Sequence, residues 1–230
     1  AAETENRGWH HGLEAKPIMF SALIFGAVIV GGLVEMVPMV VIESNVPSIP
    51  GVKPYTPLEL EGRDIYVREG CYTCHSQMVR PFVDEVVRYG EYSKSGEFIY
   101  DRPFQFGSRR IGPDLHRVGG KYPDFWHYQH MNDPRLTSPG SIMPRYSWLI
   151  EDDLDTSLTR SKIAAMKTLG VPYSDTDVDN AEKDINKQAK EIADNLISQG
   201  VKDTGDLHNK EIVAMVAYLQ RLGTDIKNKE

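Results

Sequence analysis

Both cysteines of the 230-residue chain fall inside one five-residue stretch, Cys71-Tyr-Thr-Cys74-His75. Two thiols at this spacing, with an imidazole beside the second, can add across the two vinyl groups of a haem. The imidazole then meets the iron from one side. A thioredoxin-like redox pair needs a βαβ setting, and none is visible around these residues. A zinc site needs further ligands at a suitable spacing, and the chain has no other cysteine. The pattern predicts one covalently bound haem c, held through Cys71 and Cys74 with His75 on the iron.

A second axial ligand has several candidates: Met78, Met131, Met143, His116, His127 and His130. Met78 follows His75 too closely to reach the opposite face. Met131 falls in a predicted helix from Pro123 to Met131, where it reads as core. Met143 stands in Pro139-Gly-Ser-Ile-Met143-Pro144, a loop stiffened at both ends. A rigid loop suits a weak thioether ligand, because the protein then supplies the positioning. Met143 is therefore favoured, and the histidines are expected to make ordinary hydrogen bonds at or near the surface. The stretch Gly112-Pro113-Asp114-Leu115 is expected to set a carbonyl, that of Pro113, against the Nδ1–H of His75 and so fix its ring.

These groups need elements to hold them. Leu58 to Glu69 predicts a helix with Gly62 and Tyr66 on one face. Near the other end, Lys210 to Leu222 carries Ile212, Val213, Val216, Leu219 and Leu222 in the i, i+3, i+4, i+7 pattern of a buried face. Gly62 would permit the two helices to cross closely, with Tyr66 and Tyr218 packed beside the contact. Residues 83–110, with Val86-Val-Arg-Tyr-Gly-Glu-Tyr92 and Gly96-Glu-Phe-Ile-Tyr100, predict a β-hairpin. Residues 151–209 predict a late helical insertion, in which Ala181, Ile185, Ala189, Ile192 and Leu196 form one apolar stripe.

The apolar residues gather near the N-terminus. From Pro17 to Val34 there are 18 residues without a charge, and the run continues to Ile42 with Glu35 as its single ionisable member. A helix over residues 17–42 would span ~39 Å, against the ~30 Å of a hydrocarbon core. Secretory signal peptides have apolar cores of only ~7–15 residues and an A-x-A-like cleavage site, which is missing here. Arg7 and Lys16 precede the span, whereas Lys53 is the only basic residue in the twenty after it, which favours a cytoplasmic N-terminus. Prolines at 47, 50, 54 and 57 predict an extended spacer. The expected organisation is a cytoplasmic tail (1–16), a transmembrane helix (17–42), a Pro-rich linker (43–57), a periplasmic cytochrome c domain (58–223) and a short tail (224–230). Bacteria attach haem c outside the cytoplasmic membrane, which agrees with that orientation.

A formal net charge of −7 and a pI near 5.5 argue against a phosphate-binding surface, so nucleic acid is not an expected partner. The mean hydropathy of −0.40 blends an apolar anchor with a polar domain. Residues 151–209 hold 13 Asp/Glu against 7 Lys/Arg, whereas residues 80–145 hold 10 Lys/Arg against 8 Asp/Glu. In the latter stretch Arg80, Arg109, Arg110 and Arg145 are candidates to face haem propionates.

The sequence resembles a class I cytochrome c, with Cys-x-x-Cys-His, Gly-Pro-Asp-Leu, Met-Pro and a closing Tyr-Leu helix in order. Longer strings narrow the likeness. Arg68-Glu-Gly-Cys71-Tyr-Thr-Cys74-His75-Ser-Gln-Met-Val-Arg80-Pro81 resembles the mono-haem cytochrome c subunit (subunit II) of cbb(3)-type cytochrome c oxidases. So do Arg88-Tyr-Gly-Glu-Tyr-Ser-Lys-Ser-Gly-Glu-Phe98, Gly140-Ser-Ile-Met143-Pro144 and Leu169-Gly-Val-Pro-Tyr173. The resemblance implies a mainly α fold, one haem c on Cys71 and Cys74, and His75 and Met143 as axial ligands. It also implies electron transfer from a multi-haem sister subunit or a soluble cytochrome c to a b-type haem in a membrane-embedded haem–copper catalytic subunit. The chain lacks the further cysteines of a binuclear copper site, and one span cannot enclose a haem–copper centre. The alternative is a free-standing anchored electron shuttle.

Overall fold

The computed structural model describes residues 8–42 and 48–227. Arg7, residues 43–47 of the linker including Pro47, and residues 228–230 lie outside the described residues. The chain divides into two compact units, the first ending at Pro47 and the second beginning at Ser48.

The first unit holds α1 (Trp9–Glu14) and α2 (Pro17–Val41). Pro17 occupies the first turn of α2, where its missing N–H costs nothing and its fixed φ suits the helix. Pro17–Met39 is long and apolar enough to cross a membrane, and no part of that window is buried. Pro38 lies inside the helix, and the Ile42 N–H donates to its carbonyl at 2.9 Å as the helix ends.

The second unit contains α3 (Pro57–Arg68), α4 (Val83–Tyr89), α5 (Asp124–Asn132), α6 (Pro134–Thr137), α7 (Trp148–Glu151), α8 (Thr159–Thr168), α9 (Asp175–Ser198) and α10 (Glu211–Arg221). No strand occurs among the described residues. Thr56 starts α3 with a reciprocal cap: its Oγ accepts from the Glu59 N–H at 3.3 Å, and its own N–H donates to Glu59 Oε2 at 2.8 Å. Ser174 and Asp177 repeat the device on α9, at 3.1 and 2.7 Å.

The core is built on the crossing of α3 and α10. A Cβ on Gly62 would press on the Ala214 carbonyl and sit 2.8 Å from Tyr218 Cβ, so the helices meet backbone to backbone only because residue 62 has no side chain. The Tyr66 and Tyr218 rings lie beside this contact, 5.4 Å apart. Gln77 Nε2 donates to the Tyr218 hydroxyl at 3.0 Å, which satisfies a polar group with no access to water. The stripe of α9 joins the same core through Ile185, Ala189, Ala193 and Leu196. Ile192 is half-buried at the stripe's edge, and Ala193 takes the fully buried place. On the other side of α3, Leu60 packs with Ile163, Met166, Val171, Tyr173 and Ala181 in a second apolar cluster.

Residues 83–110 do not form the expected hairpin. They fold as α4, a single 3-10 turn (Ser95–Phe98) and irregular chain. Asp84 and Glu85 stand in the first turn of α4, where carboxylates favour a helix start. Glu85 is buried, accepting from the Arg80 N–H at 2.8 Å and pairing with Arg110 at 2.7 Å. The aromatics that suggested strands pack on one another instead: Phe98 sits 4.8 Å from Phe106, and Phe104 stacks on Phe106 at 5.0 Å. Pro103 also could not donate to a ladder.

Candidate functional site

The end of α3 runs directly into a 3-10 turn over Cys71–Thr73. Cys74 N–H and His75 N–H both donate to the Cys71 carbonyl, at 3.2 and 2.9 Å. This tight turn presents the two thiols and the imidazole together. Both thiols are unbridged and half-buried. Burial, helped by the charge of Glu69, pushes the Cys71 thiol up to about 12, so it stays protonated at neutral pH.

His75 Nδ1 lies 2.8 Å from the Pro113 carbonyl oxygen. A carbonyl only accepts, so Nδ1 carries the proton and Nε2 keeps its lone pair free. Burial lowers the His75 pKa, against the opposing pull of that carbonyl and of Asp114. A neutral ring is the state that can ligate a metal.

The Pro113 loop is itself well tied. Gly112 N–H donates to the Cys74 carbonyl at 3.0 Å, and Leu115 N–H to the Ser76 carbonyl at 2.8 Å. Asp114 accepts from Ser76 Oγ at 2.6 Å, Met78 N–H at 2.8 Å and His116 N–H at 2.9 Å. A Cβ on Gly112 would stand 2.7 Å from His75 Nδ1, so the loop closes over the ring only with glycine there. Motif reading took in the Gly-Pro-Asp-Leu string but not this steric role.

Met143 arrives from another part of the chain. Its loop is pinned by Met143 N–H to Ser141 Oγ at 3.2 Å, and by Tyr146 N–H to the Met131 carbonyl at 2.8 Å. The side chain is half-buried, packs on the main core, and lines the same cavity as Cys71, Cys74, His75 and Pro113. That cavity measures about 660 Å³, within the ~300–1,000 Å³ of small-molecule and cofactor sites. Met131 is a core residue whose edge reaches the cavity wall, whereas Met78 is 38% exposed and stands away from it.

The histidines depart from the expectation of a surface setting. His116 is buried, stacks on Phe98 at 4.5 Å and bonds Ser93 Oγ at 2.5 Å, away from the cavity. His127 is 1% exposed and lines the cavity, and its Nε2 is buried without a protein partner. His130 also lines it, with Nδ1 2.6 Å from Thr137 Oγ1. Burial brings both His127 and His130 down to about 4, with the charge of His75 adding to the shift of His130. The reason is tertiary: α5 turns its His127 face inward. Trp126 stacks on Tyr122 at 4.1 Å and on His130 at 4.5 Å to form a flat aromatic wall. The i, i+4 spacing of these three aromatics was the available signal.

None of the four arginines singled out from sequence lines the cavity. Arg80 and Arg110 pair with Glu85, Arg145 Nε donates to the Asn132 carbonyl at 3.1 Å, and Arg109 is exposed. The cations at the cavity are Arg88, Arg117 and Lys121. Arg117 is already engaged by Glu97, at 2.6 and 2.8 Å, and by the carbonyls of Glu91 and Tyr92.

Two thiols, a neutral imidazole and a thioether on the walls of one largely apolar cavity suit a haem. Among the described residues no three His, Cys, Asp or Glu side chains gather into a separate metal site. No curated protein matches the chain. A family model described as cytochrome C oxidase, mono-heme subunit/FixO matches residues 10–226, nearly its whole length.

Proposed function

The chain belongs to the FixO family of cytochrome c oxidase mono-heme subunits, and from that premise we propose that it carries one covalent haem c and relays electrons within a cbb(3)-type oxidase. The observation behind this reading is the convergence of Cys71, Cys74, His75 and Met143 on one cavity of about 660 Å³. The haem, when bound, supplies a one-electron couple. Everything else falls to this chain's own residues. Cys71 and Cys74 anchor the group through thioether bonds. His75, held by the Pro113 carbonyl, offers Nε2 to the iron, and Met143 offers its sulfur from a loop too stiff to wander. A thioether ligand raises the potential, and fixed ligands keep the rearrangement on electron transfer small. Met131, Met215 and the Tyr122–Trp126 wall give the site an apolar lining.

Helix α2 would anchor the chain in the bacterial cytoplasmic membrane, with the haem-bearing unit on the periplasmic side. Electrons would enter from a c-type cytochrome, either a multi-haem sister subunit or a soluble donor. They would leave to a b-type haem of the membrane-embedded catalytic subunit, where oxygen is reduced.

Met143→Leu tests the ligand assignment. The haem should stay covalently attached, and the near-infrared thioether-to-iron band should vanish. A band that survives moves the ligand to Met131 or Met215, which also line the cavity. Mild detergent extraction tests the assembly: b-type haem and copper should copurify with the chain. Recovery of the chain with neither would favour the free-standing shuttle.

A further inference from the structure

Two cations at the rim of the cavity have no charge to answer them. The lining holds three cations, Arg88, Arg117 and Lys121, and one carboxylate, Asp114. Arg117 is matched by Glu97 and held by two backbone carbonyls. Asp114 is matched by three hydrogen-bond donors and by Arg110 at 3.5 Å. Arg88 and Lys121 remain. Among the described residues, the charged group of each meets only an aromatic ring: Arg88 that of Tyr89 at 5.2 Å, and Lys121 that of Tyr122 at 5.7 Å. Both side chains are exposed, so neither charge is spent on holding the fold.

The two cations share one stretch of rim. Arg88 lies in the last turn of α4, and Gly90, at a φ of 120°, turns the chain against Arg117, whose Cγ stands 3.6 Å from a Cβ placed there. Two shallow hollows open beside the cavity at this point. Tyr89 lines both, Arg88 the first, and Arg117 and Lys121 the second. Neither hollow reaches Cys71 or Cys74, so the cations occupy a margin of the cavity away from the thiols.

A haem carries its vinyl groups on one edge and its two propionate carboxylates on the opposite edge. With the vinyl groups tied to Cys71 and Cys74, the carboxylates face away from the thiols. We infer that Arg88 and Lys121 bind the two propionates, one each. The charges balance, two against two, and a forked guanidinium and a compact ammonium both suit a carboxylate. The lining histidines do not compete. Burial keeps His127 and His130 neutral, and the Nε2 of His127 has no surface to present. The inference rests on the haem reading of the cavity. It moves the propionate contact from Arg80, Arg109, Arg110 and Arg145 to two residues that the sequence did not single out.

The test uses the full chain in its detergent-solubilised complex, with haem labelled with carbon-13 at the propionate carboxyls. The variants are Arg88→Gln, Lys121→Gln and the two combined, with Arg88→Lys and Lys121→Arg to keep the charge. Arg109→Gln removes a charge from an exposed arginine that does not line the cavity. Haem content is read first, from the pyridine haemochrome spectrum. A wild-type chain without covalent haem would sink the haem reading, and the inference with it. With haem in place, redox-difference infrared spectra are compared between variant and wild type, which isolates these carboxylates from those of other haems in the complex. Arg88→Gln should move one labelled carboxylate band and Lys121→Gln the other. Arg88→Lys and Lys121→Arg should return each band toward its wild-type position. The midpoint potential should fall in each Gln variant, and furthest in the double one, because less neutralised carboxylates favour ferric iron. Arg109→Gln should leave both bands in place. Unmoved bands in the Arg88 and Lys121 variants would overturn the inference while the haem reading stands. So would a band that moves as far in Arg109→Gln as in the cavity variants, since a general field rather than a contact would then be acting.

Discussion

Segments 83–110 and 151–209 both pack against α3, and different forces fasten them. The first is held by charge. Arg63 Nε of α3 meets Asp101 Oδ1 at 3.2 Å with side chains only 4% and 5% exposed, and its guanidinium also donates to the Pro103 carbonyl. The second is held by shape: Leu60 of α3 meets Ile163, Met166, Val171 and Tyr173, while the α9 stripe seals against α10. A single buried carboxylate joins that face, Glu61, which accepts from Thr159 Oγ1 at 2.5 Å and pairs with Lys162 at 2.6 Å. A segment pinned by a buried ion pair fails abruptly when one partner goes, because the other charge is stranded. A segment pinned by apolar volume loses stability in proportion to what is removed.

The sharpest way to break this contrast is Arg63→Leu. It leaves the buried Asp101 carboxylate without its ion-pair partner, with only the Tyr55 hydrogen bond and the charge of Arg221 in support, and we expect a loss of about 4 kcal/mol, read by denaturant unfolding of the haem-loaded protein. The loss should depend on pH. Burial already raises the Asp101 pKa, against the opposing effects of Arg63 and of a hydrogen bond from Tyr55. Removing Arg63 raises it further. A folded-state value above the unfolded one penalises folding only where the unfolded carboxyl is ionised. The deficit should therefore vanish below about pH 4, the ordinary Asp value, and grow as the pH rises toward the folded value. A deficit that stays the same at both ends would mean that packing, not charge, makes the contact.

Leu196→Ala probes the other segment. Leu196 is completely buried within the main core, and its truncation should cost about 3 kcal/mol. That loss should not vary with pH, since no titratable group gains or loses a partner. The near-infrared thioether band should persist, because the turns that hold His75 and Met143 are tied by their own backbone and side-chain bonds. Loss of the band would show that the α9 packing also sets the ligand geometry.

The same contrast explains what could be read from the sequence. The α9 stripe, the buried face of α10 and the Gly62 crossing are all local periodicities, so residue spacing alone reveals them. The cysteine pair, His75 and the Met143 loop are legible for a similar reason, since each is a short string whose chemistry needs few neighbours. The charged residues of α3 are not legible in this way. Glu59, Glu61 and Arg63 look like a solvated face, yet all three are buried, because their partners arrive from elsewhere in the chain: Arg221, Lys162 and Asp101. Residues 83–110 misled for the same cause. Their alternating aromatics suggest strands, but the fold is decided by Glu85 between Arg80 and Arg110 and by Glu97 against Arg117. The burial of His127 was not legible because it is set by how α5 packs, which spacing does not encode.

The smallest effect belongs to the surface of the late segment, whose many carboxylates invite an electrostatic account of its attachment. Arg160 and Asp179 form an ion pair at 2.6 Å that joins the start of α8 to the first turns of α9. Geometry alone would make it a good clasp. Its side chains, however, are 71% and 64% exposed, so water and salt compete for both charges, and the pair must also immobilise two side chains. Asp179→Ala should change stability by no more than about 0.5 kcal/mol, and raising the ionic strength should erase even that. Set beside Leu196→Ala in the same helix, the comparison isolates apolar volume as the fastening force. A loss above about 1 kcal/mol, outside the ~0.2–1 kcal/mol typical of exposed pairs, would reverse the assignment and place this segment with 83–110 among the parts held by charge.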